Sequence, residues 1–229
     1  MSTLLLVRHG QASFGTSDYD RLSATGERQV ALLRDHWLAT GESFDAIYAG
    51  TLRRQRHTAQ IIAATQNLTV TERAEFDEYD ADSLLRQRAA LGALEHLSAA
   101  SLAAGHLEPR AFQRELEATG LDWVSGRLDA GAKETWPTFR GRVGRGLRAL
   151  MASEGRSRRL VVCTSAGVIG AAVAEVMSLS DHEALKISWA VHNSSITRLQ
   201  YDAARVSLTA FNAVPHLERP GHRELITFR

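Results

Sequence analysis

The chain has 229 residues, with 27 Lys and Arg against 26 Asp and Glu, so its formal net charge is only +1. The length suits one large domain, or one domain with a sizeable insertion. The near-neutral charge excludes a strong electrostatic attraction to nucleic acid or to a membrane surface. The single cysteine, Cys163, excludes an intramolecular disulfide and favours a reducing compartment. Because the chain has neither an apolar run of bilayer length nor a secretory signal pattern, we expect a cytoplasmic protein.

The first strand is the most informative element of the sequence. Residues 4–7 are all apolar, which predicts a strand buried on both faces of a parallel sheet. The strand leads directly into Arg8-His9-Gly10, at the carboxyl end where open α/β sheets bind ligands. Arginine matches phosphate with paired donors, neutral imidazole is a competent nucleophile, and glycine lets a ligand approach the backbone. The alternative is that Arg8 and His9 only end a strand in solvent.

The next elements alternate between helix and strand. Residues 11–20 read as a loop, and Ser23 is a suitable N-cap for a helix that runs to about Leu38. Residues 44–48 predict a short strand, after which Thr51 can cap a second helix that begins with Leu52.

The start of this second helix carries a candidate anion ligand. Arg54, His57 and Thr58 are spaced at i, i+3 and i+4 and therefore share one helix face. Free backbone N–H groups and the helix dipole favour an anion at a helix N-terminus. Arg54 is therefore a second candidate phosphate ligand, although a solvated arginine face remains the alternative.

The middle of the chain predicts an insertion. Residues 69–72 read as an edge strand, and residues 76–82 form an acidic loop in which Glu78 is the best candidate proton donor. Residues 83–128 are rich in Ala, Leu, Arg and Glu, which predicts several helices with a break near Gly105 and Pro109. Another helix follows Pro137.

The last third returns to the strand–helix pattern. Residues 160–163 predict a third buried strand that leads into Thr164-Ser165-Ala166-Gly167 and then a helix over 168–177. Residues 195–201 and 206–211 predict a terminal hairpin. The polar tail from Pro215 is expected to be ordered only in part.

This alternation predicts an α/β fold: a three-layer α/β/α sandwich with a mainly parallel sheet and residues 4–7 at its centre. We expect one domain over residues 1–229, with a helical insertion at about 80–134 that covers the strand ends. Polar groups then follow three strands on one rim, at Arg8-His9, Arg54 and Thr164-Ser165. Two arginines and a histidine converging there point to a small phosphorylated substrate.

The ordered set of motifs resembles the histidine phosphatase superfamily, the phosphoglycerate-mutase-like proteins. The family opens with a strand and Arg-His-Gly, here Arg8-His9-Gly10. A Leu-Ser/Thr-x-x-Gly-x-x-Gln element follows, here Leu22-Ser23-Ala24-Thr25-Gly26-Glu27-Arg28-Gln29. The family's Ser-x-Leu-x-Arg-Ala-x-Gln-Thr-Ala helix start matches Gly50-Thr51-Leu52-Arg53-Arg54-Gln55-Arg56-His57-Thr58-Ala59. A late Asn-x-Ser element is present as Asn193-Ser194-Ser195.

The resemblance implies a phosphatase that hydrolyses a phosphomonoester through a phosphohistidine intermediate. His9 would be the nucleophile, Arg8 and Arg54 would hold the phosphoryl group, and Glu78 would protonate the leaving oxygen. Two arginines can neutralise a phosphoryl group, and the chain has no recognisable metal-ligand spacing, so neither metal nor cofactor is expected.

The chain departs from the family after the third strand. There the family has Ser-His-Gly-Gly, whose histidine contacts the phosphoryl group, whereas this chain has Ser165 in the histidine position. A hydroxyl can donate a hydrogen bond to a phosphoryl oxygen but carries no charge. Gln11, His57 and His192 are further candidates for the site, although an ordinary surface or packing residue is the favoured interpretation of the two histidines.

Other functions stay open at this stage. Phosphoglycerate-mutase-type phosphotransfer is one, although mutases need a more closed and strongly basic pocket. A weakly active or non-catalytic phosphate-binding protein is another, because Ser165 replaces the second histidine. A serine hydrolase would use Ser165 with His216 and either Asp181 or Asp202. A cysteine-dependent phosphatase is excluded, since the position six residues after Cys163 is Ile169 and not arginine. The sequence also leaves a homodimer open.

Overall fold

The structure is a computed structural model that describes residues 1–13, 20–98, 108–153 and 156–228. Within them a six-stranded sheet has the order β3-β2-β4-β1-β5-β6. Its strands are β1 (Ser2–Arg8), β2 (Ala46–Ala49), β3 (Val70–Glu72), β4 (Arg159–Thr164), β5 (Ile196–Tyr201) and β6 (Val206–Ala213).

The sheet is mixed, and β1 lies inside it. β1 pairs parallel with β4 and antiparallel with β5, while β2 pairs parallel with both β3 and β4. β5 and β6 form the predicted antiparallel hairpin. The four apolar residues of β1 are fully buried, as expected for a strand covered on both faces. The α/β class and the central position of β1 are confirmed.

The helices follow the strands as the alternation predicts. They are α1 (Ala24–Ala39), α2 (Arg53–Ala63), α3 (Ala81–Ala90), α4 (Pro109–Val124), α5 (Trp136–Ser153), α6 (Ala166–Met177) and α7 (Asp181–Ala190). The side chain of Ser23 accepts from the Gly26 N–H and caps α1, as predicted. Thr51 does not cap α2, whose N-cap is Leu52. The sequence analysis missed α7, a short helix capped by Ser180.

Each face of the sheet buries alternate residues of the central strands. Leu5 and Val7 of β1 belong to one apolar cluster with Val30 of α1 and Ile62 of α2. Leu4 and Leu6 are equally buried. Because side chains alternate along a strand, they face the other side of the sheet, where α6 contacts both β1 and β6. Short apolar runs become strands here because both faces are covered.

Contacts divide the chain into two compact units, Met1–Glu78 with Arg142–Arg229, and Tyr79–Gly141. The second unit has its own aromatic core, in which Trp123 packs against Tyr79, Trp136 and Phe139. It also holds the buried Arg88, which forms ion pairs with Glu95, Glu115 and Asp122. The Tyr79–Gly141 unit overlaps the helical insertion predicted at about 80–134, whereas the single-domain organisation and the placement of the insertion over the strand ends stay predictions.

The C-terminal tail is more ordered than the sequence suggests. Val214, Leu217 and Leu225 are buried together, and a short 3-10 helix spans Arg223–Leu225. The mostly polar composition of this segment gave no sign that these apolar residues would be buried. The expectation of partial order is therefore wrong for residues 215–228. The break predicted near Gly105 and most of the loop predicted for 11–20 lie outside the described residues. No helix in the described ranges is long and apolar enough to cross a membrane.

Candidate active site

His9 lies at the carboxyl end of β1 with both ring nitrogens engaged. Its Nδ1 is 2.7 Å from the Gly10 carbonyl oxygen, and its Nε2 is 3.1 Å from Nε of Arg54. A carbonyl only accepts and a guanidinium only donates, so Nδ1 carries the proton and Nε2 offers its lone pair. Burial, and then the charges of Arg54 and Arg8, hold the pKa of His9 well below its usual value. His9 is therefore a neutral imidazole whose Nε2 carries a lone pair and no proton, the form that a nucleophile requires.

Arg54 reaches His9 from the first turn of α2. Its Nη1 also donates to Oδ1 of Asp20 at 2.6 Å, and the other oxygen of that carboxylate accepts from the Arg53 N–H at 2.9 Å. Asp20 thus occupies both a guanidinium edge and a free N–H at the helix N-terminus, where an anion is favoured. The sequence analysis did not select Asp20, because nothing in its local pattern pointed to the helix that follows 33 residues later.

Arg8 approaches the same region from the strand. Its backbone N–H donates to the Ser195 carbonyl at 3.1 Å, and its guanidinium donates to the Val191 carbonyl. The charge of Arg8 also contributes to the lowered pKa of His9. The predicted pair of arginines around His9 is therefore present in the structure.

Gly10 serves a purpose other than the one the sequence suggested. A Cβ on Gly10 would lie 2.4 Å from the Gly26 carbonyl oxygen, and a Cβ on Gly26 would lie 2.1 Å from the Gln11 carbonyl oxygen. Both glycines therefore allow the first turn of α1 to press against the chain after β1. Close packing of the helix, rather than approach by a ligand, explains the glycine after His9.

The backbone of His9 is held from β4 on one side and from the turn before β5 on the other. On one side its N–H donates to the Thr164 carbonyl of β4 at 2.8 Å. On the other side its carbonyl accepts from the Ser194 N–H and from Nδ2 of Asn193, each at 3.3 Å. Asn193 is itself fixed by Thr227 of the tail. The late Asn-x-Ser motif thus holds the main chain of His9.

Glu78 lies at the junction between β4 and α6. Its Oε2 accepts from the Gly167 N–H at 3.0 Å, at the start of α6. The loop before it is anchored at the Phe76 carbonyl, which accepts from Thr164 Oγ1 at 2.6 Å and from Gln55 Nε2 at 3.1 Å. Because Thr164 also binds the backbone of His9, Glu78 and His9 attach to the same strand–helix junction.

Ser165 follows Thr164 and is buried at this junction. Its Oγ is 2.8 Å from Nε2 of Gln55, a residue that the sequence analysis quoted within a motif but did not select. The Ser165 side chain makes no cap bond to α6. Its backbone therefore follows β4 next to the end of β1, and its hydroxyl has a partner on α2.

The three further candidates, Gln11, His57 and His192, each have a different partner in the structure. Gln11 accepts from Ser23 Oγ at 2.8 Å and so helps to fix the start of α1. His57 is 40% exposed and lies 3.9 Å from a Glu27 carboxylate oxygen on α1. The His192 ring accepts from Asn212 and packs on Phe228, with ring centroids 4.4 Å apart. None of the three has a described hydrogen bond to His9.

The serine hydrolase arrangement is not formed. His216 Nε2 is 2.8 Å from Oγ of Ser194, while Ser165 is bound by Gln55. Asp202 accepts from backbone N–H groups in the β5–β6 turn. Burial raises the pKa of the Cys163 thiol, which is consistent with a packing role in β4.

A buried neutral histidine, two arginines and a carboxylate at a strand–helix junction define a candidate phosphoryl-transfer site. A family model described as the histidine phosphatase superfamily (branch 1) matches residues 4–214. The chain belongs to the histidine phosphatase superfamily, and the resemblance seen in its sequence is confirmed.

Solved structures of phosphatases have the same fold. A phosphoserine phosphatase mutant from Entamoeba histolytica, in complex with phosphoserine, is 19% identical, with a TM-score of 0.66 over 95% of this chain and 100% of that chain. A mycobacterial glucosyl-3-phosphoglycerate phosphatase is 22% identical, with a TM-score of 0.61 over 92% of this chain and 98% of the other. At this low identity the likeness establishes the fold.

A curated relative is similar over part of the chain. It is a 2-carboxy-D-arabinitol-1-phosphatase of Triticum aestivum, 36% identical over 93 residues. The match covers 36% of this chain and 18% of the wheat protein, so the chain spans only a small part of that relative.

Proposed function

We propose that the protein is a phosphatase that hydrolyses a small phosphomonoester through a phosphohistidine on His9. The observation that carries this proposal is the state of the His9 ring. Its Nδ1 proton is held on the Gly10 carbonyl, and its Nε2 lone pair faces the Arg54 guanidinium. A phosphoryl oxygen that takes over the Arg54 donor would bring phosphorus within reach of Nε2.

The reaction then has two balanced steps. In the first, Nε2 of His9 forms a bond to phosphorus while the bond from phosphorus to the leaving oxygen breaks, and the Glu78 carboxylic acid gives that oxygen a proton. In the second, water attacks the phosphohistidine, releases inorganic phosphate and returns a proton to Glu78. Arg8 and Arg54 neutralise the charge on the equatorial oxygens, which is the main demand of phosphoryl transfer.

The low pKa of His9 supports the first step. A protonated imidazole has no lone pair at Nε2, so a group that stays neutral at physiological pH is ready to attack without a separate base. Burial and the two arginines disfavour the protonated imidazole, and they therefore favour the neutral form that can attack phosphorus.

His9→Ala should abolish hydrolysis of p-nitrophenyl phosphate, because among the described residues His9 supplies the imidazole within hydrogen-bond distance of Arg54. His182→Ala, which removes an exposed imidazole from α7, is the matched control and should retain wild-type turnover. Rapid quench after mixing with ³²P-labelled substrate should trap label on the wild-type chain that survives alkali and is lost in acid, as a phosphorus–nitrogen bond requires.

Three outcomes would contradict this proposal. Label that survives acid, or that persists in His9→Ala, would mean that another residue is phosphorylated. Retained turnover in His9→Ala together with an inactive Ser165→Ala would instead indicate the serine hydrolase. Transfer of label to a second alcohol without release of phosphate would favour mutase-type chemistry.

The small phosphorylated substrate remains a prediction from the two arginines and the histidine at the strand ends. The cytoplasmic location remains a prediction from the single cysteine and the lack of a signal pattern.

A further inference from the structure

Gln55 and Ser165 form a buried polar pair at the rim of the candidate site. Gln55 is 0% exposed and Ser165 is 1% exposed, and 2.8 Å separates Nε2 of the amide from Oγ of the hydroxyl. The two residues are 110 positions apart in the chain. Burying a polar group without a hydrogen-bond partner destabilises a protein, so the partners of this buried amide and hydroxyl determine what the pair can do.

The neighbours of Gln55 fix which way its amide points. Nε2 faces the Phe76 carbonyl oxygen at 3.1 Å, and a carbonyl can only accept. On the other side Oε1 faces the Leu52 N–H at 3.4 Å, which can only donate. Both neighbours require the same orientation, so the group that faces Ser165 is the NH₂.

This orientation also sets the direction of the Ser165 hydroxyl. The two amide hydrogens serve two acceptors, the Phe76 carbonyl and the Ser165 oxygen. Because Oγ receives a hydrogen bond from Gln55, its own proton must point away from Gln55. Gln55 therefore does not take up the hydroxyl proton, which stays available to another acceptor, together with the second lone pair of Oγ.

The backbone at Gly50 leaves room for the side-chain amide of Gln55. A Cβ on Gly50 would lie only 2.0 Å from Oε1 of Gln55, so any other residue there would displace the side chain. The strand before Ser165 is equally fixed, since Arg8 pairs with Thr164 across the parallel ladder and His9 binds the Thr164 carbonyl. Ser165 therefore lies next to His9 along the strand ends.

We propose that Gln55 is a positioning residue, which binds one lone pair of Ser165 Oγ and leaves the hydroxyl proton to donate to the phosphoryl group attacked by His9. This inference rests on the proposed function. An anion accepts hydrogen bonds only, so it binds better to a hydroxyl whose proton is not already used by a neighbouring acceptor. Gln55 keeps this proton available without contacting the substrate.

A double-mutant cycle tests the coupling. Gln55→Met keeps the length of the side chain and removes both amide donors. We expect it to lower kcat/KM for p-nitrophenyl phosphate about fivefold and to weaken inhibition by inorganic phosphate to a similar extent, the effect of one neutral hydrogen bond. Ser165→Ala should cause the same loss, and Gln55→Met should add nothing further in the Ser165→Ala background.

Thr164→Val is the matched control for a purely structural role. Thr164 Oγ1 donates to the same Phe76 carbonyl as Gln55, so this variant loosens the Glu78 loop and leaves the Ser165 hydroxyl oriented. Any loss it causes should be the same with Ser165 and with Ala at that position. Gln55→Leu repeats the cycle if circular dichroism shows that Gln55→Met does not fold.

The inference is overturned if Gln55→Met costs as much in Ser165→Ala as in the wild type, since Gln55 would then act through the loop alone. Full activity and unchanged phosphate inhibition in Ser165→Ala would overturn it without any Gln55 variant. These outcomes differ from failure of the proposed function, which would show as retained turnover in His9→Ala.

Discussion

Arg54 divides its guanidinium between the candidate nucleophile and an acidic residue. One nitrogen donates to His9, and another donates to the Asp20 carboxylate, which also holds the Arg53 N–H. A carboxylate on a guanidinium edge and a helix N-terminus uses the donors that a phosphate would use. We therefore expect Asp20 to compete with a bound phosphoryl group for these donors.

Asp20→Asn should strengthen inhibition by inorganic phosphate. The neutral amide leaves the helix N-terminus and Arg54 free of a competing negative charge, so we expect the inhibition constant to fall about fivefold, as for one partly exposed ion pair of ~1 kcal/mol. Asp35→Asn is the control, because Asp35 is exposed and pairs with the adjacent Arg34. A weaker inhibition in Asp20→Asn would mean that Asp20 chiefly holds Arg54 in place.

At the scale of elements, helix α5 approaches the Glu78 loop through a glycine. A Cβ on Gly146 would lie 2.6 Å from Cβ of Glu75 and 3.3 Å from the Phe76 ring. Two residues earlier, a Cβ on Gly144 would meet only the ends of the Arg148 and Glu175 side chains, at 3.2 Å and 3.3 Å. Two glycines of one helix thus have different surroundings.

Gly146→Ala should destabilise the protein by about 1–3 kcal/mol, because the loop must move to admit a methyl group. Gly144→Ala is the matched control. Flexible side-chain ends can yield, and alanine favours the helix by up to ~1 kcal/mol over glycine, so this variant should be neutral or slightly stabilising. Urea unfolding of both variants measures the two free energies. Equal effects would show that α5 does not depend on this close approach.

At the scale of the whole molecule, the buried His216 links folding to pH. Burial is the main cause that lowers its pKa to about 3, followed by the nearby basic groups His36, Arg219 and His222. An unfolded chain takes up a proton on this imidazole near pH 6.5, whereas the folded chain does so only near pH 3. Between these values the unfolded state binds more protons, so the free energy of unfolding falls as the pH falls, and stability is fully present above about pH 6.5.

Replacing His216 should weaken the dependence of the free energy of unfolding on pH. Wild-type protein should lose on the order of 4 kcal/mol through His216 between pH 7 and pH 3, in addition to the loss through His9. His216→Gln keeps a polar partner for Ser194 and should be less stable at pH 7, yet its free energy of unfolding should fall less steeply with acid. His182→Gln controls for removing one imidazole. The same slope in His216→Gln and wild type, measured by urea unfolding across this range, would contradict the assignment.

Local pattern was sufficient for most of the fold. The apolar run of residues 4–7, the Ser23 cap and the run before Ser165 each predict an element because their cause lies within a few residues. The same holds for Arg8, His9 and Arg54, which stand beside strand and helix ends where anions bind. Local pattern therefore predicts the α/β class and the central strand, and it selects the residues from which the candidate site is built.

Only the tertiary structure decided how these groups are bonded. The proton on His9 Nδ1 depends on Arg54, 45 residues away, and the direction of the Ser165 hydroxyl depends on Gln55, 110 residues away. The order of the tail depends on contacts such as that between Gln29 and the Leu225 carbonyl, 196 residues apart. The physical reason is that hydrogen bonds and burial are made by the folded neighbourhood, and local periodicity carries no record of which distant residue completes them.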